Sequence, residues 1–294
     1  MTIIGNPVAV SLDHILFATD FSPSAETAKL YVEALGSRYC SQVHVLHVID
    51  LSATFKDPDA GLSIGIFRKF GQESLLRLQD EMVSKKIKVE TELCEGVEPA
   101  AEILRAAQDH AVDLVVIGTR GHKGLARLVL GSTAEKLIHQ AMRPVLTIGP
   151  AVARPNLPIG FQKIVYATDF SVEAAGACVF ALTFAEDFGG RLYLCHVVPE
   201  YEHSGQFDDR ELNERFTSAL RRLVPDVARE WFEPECVLEH GSAADGILLL
   251  AKRVQADLIV LGTRKTSHWY DNFKSGVALQ VMSSSPCPVL TIRA

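Results

Sequence analysis

The phrase Ala-Thr-Asp-Phe-Ser occurs twice, at Ala18 to Ser22 and again at Ala167 to Ser171, and further landmarks recur after it in the same order. Leu46-His47-Val48 matches Cys195-His196-Val197. Asp113-Leu114 through Gly118-Thr119-Arg120 matches Asp257-Leu258 through Gly262-Thr263-Arg264. Pro144-Val145-Leu146-Thr147-Ile148 matches Pro288-Val289-Leu290-Thr291-Ile292. A chain repeating this way folds as two copies of one domain, each with its own core. Residues 1–150 and 151–294 are the expected domains, joined by a proline-rich linker at Pro150 to Gly160. The copies differ where chemistry would sit, in the glycine-rich stretch after Asp113, which is intact in the first half and altered in the second.

At 294 residues each copy is long enough to bury an ordinary core, and 48% hydrophobic with 22% charged residues describes globular domains. The longest uncharged apolar stretch, Gly176 to Ala185, is too short to cross a bilayer. Met1 to Ser11 lacks the basic start and apolar run of a secretory signal, so a cytoplasmic protein is expected. The six cysteines include no closely spaced pair and read as reduced core thiols, the first four falling in apolar helix or strand patterns. They offer no metal-ligand spacing. A net charge of −7 without a Lys/Arg stripe disfavours nucleic acid as a partner.

Each half alternates short β-branched runs with helical patterns, the signature of βαβ units closing a parallel sheet in an α/β fold. Strands are predicted near His14 to Ala18, Val43 to Val48, Lys88 to Leu93, Leu114 to Ile117 and Val145 to Ile148. Their counterparts lie near Lys163 to Ala167, Arg191 to Val197, Glu235 to Leu238, Leu258 to Leu261 and Val289 to Ile292. Ser22-Pro23 is a helix start, and Ser132 with Glu135 makes a capping box. Asp20 and Asp169 are 149 residues apart but Gly118 and Gly262 only 144, so the first half carries five extra residues. The stretch Leu51 to Gly65, with its Asp57-Pro58-Asp59-Ala60-Gly61, reads as the loop that holds them.

In open parallel sheets ligands sit beyond the carboxyl ends of the strands, where the winding reverses. Asp20 follows the first strand and Gly118 the fourth, so both loops open on one crevice if those strands are neighbours. The loop from Gly118 runs Gly-Thr-Arg-Gly-His-Lys-Gly-Leu-Ala-Arg-Leu-Val-Leu-Gly-Ser into a capped helix at Ser132. Gly118, Gly121 and Gly131 would permit positive φ and close approach of backbone amides to an anion. The helix start adds unpaired N–H groups, and Arg120, His122, Lys123 and Arg127 add positive charge. By composition this is a phosphate cradle. It is neither a Gly-Lys-Ser/Thr loop nor a Gly-x-Gly-x-x-Gly turn.

The spacing Gly-x2-Gly-x9-Gly-Ser at Gly118, Gly121, Gly131 and Ser132, with Thr19-Asp20-Phe21-Ser22, His47-Val48-Ile49-Asp50 and Arg143-Pro144-Val145-Leu146, resembles the ATP-binding branch of the universal stress proteins. The resemblance covers both halves. It implies doubly wound domains with strand order 3-2-1-4-5, binding ATP or AMP with a magnesium or manganese ion on the phosphates. Asp20 would contact the adenosine end, with Thr19 and Val48 lining the adenine pocket. Gly118, Gly121, Gly131, Ser132 and Thr133 would hold ribose and phosphates. Family members commonly pair through their fifth strands, so a tandem chain could make that pairing within itself as a pseudo-dimer and could associate further as a homodimer.

The second half departs from the pattern: Lys265 stands where Gly121 stands, and Ser275-Gly276 where Gly131-Ser132 stands. Asp169 and Val197 persist, leaving room for an adenosine fragment. Simpler roles compete at several positions. Asp20 and Asp169 could cap the helices that follow them, and His47 and His196 read as packed, hydrogen-bonded strand residues. No Ser-His-Asp, Cys-His or paired-carboxylate set is visible. The sequence therefore points to a nucleotide-binding regulator with one competent site, against a slow ATPase or phosphoryl-transfer enzyme and a nucleotide-free dimerisation scaffold.

Overall fold

A computed structural model describes residues 10–52, 60–119, 130–155, 158–199, 209–229, 233–263 and 276–293. The chain divides into two compact units, one running from Leu12 to Ile159 and the other built mainly from Gly160 onward. In the first, β1 (His14–Ala18), β2 (Gln42–Asp50), β3 (Lys88–Gly96), β4 (Leu114–Gly118) and β5 (Val145–Ile148) form a parallel sheet in the order β3-β2-β1-β4-β5. In the second, β6 (Lys163–Ala167), β7 (Arg191–Val198), β8 (Glu235–His240), β9 (Leu258–Thr263) and β10 (Val289–Arg293) repeat it as β8-β7-β6-β9-β10. Both are doubly wound α/β units. The central strands are apolar throughout because both faces are covered: Ile15, Leu16 and Phe17 of β1, and Ile164, Val165 and Tyr166 of β6, are at most 1% exposed.

In the first unit α1 (Pro23–Tyr39) and α2 (Ala60–Ser84) cover one face, and α3 (Pro99–Asp109) and α4 (Ser132–Gln140) the other. The second face is built from small residues, Ala100, Ala106, Ala107 and Ala134, packed with Ile103 and Leu137 on Leu16, Leu46, Val115 and Val145. Alanines let the helices lie close to the strands, and removing a buried leucine such as Leu137 would cost about 2–5 kcal/mol.

Caps set the helix ends as the sequence indicates at α1. Ser22 Oγ accepts from Ala25 N, and Pro23 takes the first helical position, where its missing N–H costs nothing. α5 (Val172–Phe188) starts the same way on Ser171. Their far ends differ: α5 closes on Gly189 at φ 60°, α1 on Cys40 at φ 56°. Cys40 thus occupies a left-handed C-cap where its twin is glycine. It is exposed, and Cys94 and Cys236 are half-buried, so the expectation of core thiols fails for these three. Cys178, Cys195 and Cys287 are buried, and burial pushes each thiol up to about 12.

Three further expectations are corrected. The stretch predicted as loop at Leu51 to Gly65 becomes helix from Ala60, residues 53–59 lying outside the described residues. Pro58 and Asp59 stand directly before Ala60, where proline and an acid mark a helix start as readily as a turn. Four of the five extra residues do fall between β2 and β3: Leu46 pairs with Glu92, whereas its equivalent Cys195 pairs with Val237, 145 residues on from Glu92. The remaining one lies between β3 and β4. The second unit has two shorter helices there, α6 (Asp209–Arg222) and α7 (Asp226–Arg229), interrupted at Pro225, which lacks an N–H and disfavours helix in the residue before it. Finally, the cap of α4 is Gly131 and not Ser132, and neither Gly118 nor Gly131 has positive φ.

Candidate functional site at the strand reversal

β1 is bonded to β2 on one side and β4 on the other, Ala18 lying opposite both Leu46 and Ile117. β1 is followed by α1 on one face of the sheet and β4 by α4 on the other, the winding reversal beyond whose strand ends a crevice is expected. Thr19, Asp20 and Gly118 stand at its mouth.

The turn after β1 is held by its own side chains. Thr19 Oγ1 accepts from Phe21 N at 3.0 Å and Asp20 Oδ1 from Ser22 N at 3.0 Å. Between them Phe21 adopts φ 57°, an uncommon conformation for a bulky residue that costs on the order of 1–2 kcal/mol. Its ring packs against His47 at 4.8 Å and edge-on to Phe70 of α2 at 5.9 Å. The second unit copies the device: Phe170 has φ 61°, Thr168 and Asp169 hold Phe170 N and Ser171 N, and the Phe170 ring sits 4.6 Å from His196. Asp20 is therefore not the cap of α1, which is Ser22. It braces the turn with one oxygen while the residue stays exposed at the crevice.

His47 Nδ1 lies 2.8 Å from Thr19 O, and His196 Nδ1 2.8 Å from Thr168 O. A carbonyl can only accept, so Nδ1 carries the proton in each ring. Burial lowers the His47 pKa, opposed by that hydrogen bond and by the Asp20 charge. Both histidines lock the strand end in place, as the sequence indicates.

Gly118 is glycine for a steric reason. A Cβ there would lie 2.7 Å from Ala25 N and 2.8 Å from Ser24 C and Oγ, where the first turn of α1 presses on the end of β4. At Gly131 a Cβ would come within 3.0 Å of Thr119 O. Gly131 N donates to that same oxygen at 2.8 Å, tying the start of α4 to the end of β4. Thr119, buried and bonded through N and Oγ1 to Ile148 O, is the anchor. Its repetition as Thr263, whose Oγ1 reaches Ile292 O at 3.4 Å, is the sequence signal that could have singled it out.

With glycine as N-cap, α4 has no side-chain cap hydrogen bond, and exposed Ser132 is its first residue, followed by half-buried Thr133. This nine-residue helix starts beside the end of β4, to which Gly131 N ties it, and a helix start of this kind favours an anion. α9 (Val277–Ser284), which follows α8 (Ala243–Val254), likewise starts on a glycine, Gly276, without a side-chain cap. Measured from the matching C-caps Ala141 and Ser285 it is one residue shorter, so its first amide is displaced. Val48, half-buried on β2 opposite Cys94, packs on the α3/α4 side of the same crevice. Arg120, Gly121, His122 and Lys123 lie outside the described residues, as do Lys265 and Ser275. Among the described residues no group of three His, Cys, Asp or Glu could hold a metal ion, and no helix is long and apolar enough to cross a membrane.

Comparison with known proteins agrees with this architecture. The profile described as universal stress protein family matches residues 11–149 and again 160–293. A universal stress protein of Methanocaldococcus jannaschii is 34% identical over 137 residues, covering 46% of this chain and 80% of that protein. A second from the same organism is 30% identical over 158 residues, covering 48% and 97%. Among solved structures, a universal stress protein from Archaeoglobus fulgidus superposes with a TM-score of 0.75 at 22% identity, over 96% of this chain and 98% of that one. That likeness bears on fold alone. With both repeats matched, the doubly wound sheets in hand and relatives of the same description, this chain belongs to the universal stress protein family and carries two of its domains in tandem.

Proposed function

We propose that the first unit binds ATP or AMP in the crevice between β1 and β4, and that occupancy biases the conformation or partner choice of the chain in a regulatory role. Thr19, Asp20 and Val48 line the adenosine end. Gly118, Gly131, Ser132 and Thr133, together with Arg120, Gly121, His122 and Lys123, take the ribose and phosphates. The observation that carries the reading is the start of α4: a helix without a side-chain cap, fastened by Gly131 N to Thr119 O at the mouth of the crevice, whose open amides suit a phosphate. Asp20 stands exposed at the other side of that mouth. A magnesium or manganese ion would be held chiefly by the phosphates themselves, since the described residues contain no cluster of three His, Cys, Asp or Glu. The second unit keeps Asp169 and Val197 but has Lys265 in place of Gly121, which favours one nucleotide site per chain.

Titration calorimetry with ATP and with AMP tests this. Gly121→Lys, which copies Lys265, is expected to abolish ATP binding while the circular dichroism spectrum stays unchanged; undiminished affinity would refute the loop assignment. Asp20→Ala is expected to weaken ATP and AMP equally, by roughly tenfold for the loss of one hydrogen bond to a charged group. A loss confined to ATP would overturn the adenosine role of Asp20.

A further inference from the structure

Away from the nucleotide crevice, the first unit gathers three histidines that no functional reading has used. His14 opens β1, His44 is the third residue of β2 and His110 is the C-cap of α3. The β1, β2 and β3 register sets Leu16, His44 and Glu90 in one row across the sheet. His44 is buried, with its ring stacked on His110 at 4.2 Å and on His14 at 5.5 Å. His14 Nδ1 and His44 Nε2 lie 3.2 Å apart. A cavity of about 200 Å³ beside them is lined by Leu16, His44, Glu90, Glu92 and His110.

The charged groups around this stack come from four elements. β3 contributes Glu90, whose Oε2 lies 3.6 Å from His44 Nδ1, and Glu92, 3.5 Å from His110 Nε2 and bonded to Cys94 Sγ. α3 contributes Arg105, which holds Asp109 and Glu102 and approaches Glu92 at 4.0 Å. The residue before β4, Asp113, takes the backbone N–H of His14. β1 contributes His14 itself.

An N···N contact between two imidazoles needs one proton and one lone pair. The His14–His44 pair therefore accommodates neutral rings or one added proton, and a second would set two N–H groups and two positive charges against each other. His110 lies beside the Glu92 carboxylate at a helix C-terminus, with its ring stacked on that of His44. Once charged, it presents a cation to the face of His44. His44 Nδ1 is buried without a hydrogen-bond partner, since Glu90 stops short of bonding distance. We propose that the His14, His44 and His110 stack is an acid-responsive catch that holds the end of α3 and the β3 edge to the sheet at neutral pH and loosens them in mild acid.

The sign follows from linkage. Burial, then the His110 charge, lowers the His44 pKa from 6.5, with Glu90 opposing and His14 adding to the depression. Above pH 6.5 the ring is neutral both folded and unfolded and contributes nothing pH-dependent. As pH falls through 6.5 the open form takes the proton first, so stability is lost from there down to the depressed folded pKa and no further.

The test is an NMR titration of the imidazole Cε1–H signals in the full chain from pH 8 to 5, with hydrogen exchange of amides 88–96 and 105–113 at both ends. His44 is expected to titrate below 6.5, and to move upward in His110→Gln and in His14→Asn. Opening at those amides, corrected for intrinsic rates, is expected to rise severalfold on acidification, up to about tenfold per pH unit for one such group. His44→Gln should flatten that rise. A His44 midpoint at or above 6.5, a midpoint indifferent to both neighbouring substitutions, or exchange unchanged by acid would each overturn the proposal.

Discussion

Replacing Gly118 with alanine asks directly whether the crevice is shaped by helix-to-strand contact. The added methyl carbon would lie 2.7 Å from Ala25 N and 2.8 Å from Ser24 C, whereas ordinary contact for such atoms starts at 3.4 Å. The overlap is with backbone, which cannot swing away as a side-chain tip can, so α1 must shift or β4 must bend. Overpacking of this kind costs about 1–3 kcal/mol. The molecule supplies its own scale. At Gly131 the nearest atom would be 3.0 Å away, and at Gly276, the cap of α9, nothing among the described residues lies within 4 Å. Gly276→Ala also keeps an accessible φ of −64°, so its cost is the cap difference of about 0.5 kcal/mol. Urea unfolding of the full chain should therefore rank the variants Gly118→Ala, then Gly131→Ala, then Gly276→Ala. The first should lower Tm by about 4–8 °C for a 2 kcal/mol loss in a unit of this size. If Gly118→Ala were as stable as Gly276→Ala, the steric account of the site would be wrong.

Two other substitutions use one half of the chain as the control for the other. Cys40→Gly copies Gly189 and removes the cost of a left-handed cysteine; it should stabilise the first unit by about 0.5–1 kcal/mol in denaturant titration, and a loss of stability would refute the strain at φ 56°. Tyr166→Phe copies Phe17 and deletes the 2.7 Å bond from the buried Tyr166 hydroxyl to Ala174 O, so the second unit should lose about 0.5–1.5 kcal/mol, with no change counting against that bond as a stabiliser.

The strands were legible because a parallel strand covered on both faces must be an unbroken apolar run, and Ile15 to Ala18 or Leu114 to Ile117 can be little else. The carboxyl ends were less so: β2 runs on through buried Ile49 to exposed Asp50, and β3 through Cys94 and Glu95 to Gly96, each paired to the other through the backbone. The glycines of the crevice were visible, but the reason for them was not. Sequence suggests conformational freedom at Gly118 and Gly131, while the fold requires empty space beside Ala25 and Thr119, a contact made by residues far apart in the chain. The positive φ belongs instead to Phe21, which a sequence does not advertise, although the repetition of Thr-Asp-Phe-Ser marks the place. The histidine stack was hidden for the same reason, because only the pairing of β1 with β2 and the packing of the end of α3 on them bring residues 14, 44 and 110 together.

The proposed nucleotide site holds phosphate at the opening of α4 in the first unit. A crystal structure of the chain grown with excess ATP addresses it most directly. Phosphate oxygens within hydrogen-bonding distance of the Ser132 and Thr133 amides, with Asp20 near the ribose or base, are the expected result. Nucleotide seated only at the start of α9, or the α4 corner left empty at saturating ATP, would contradict it.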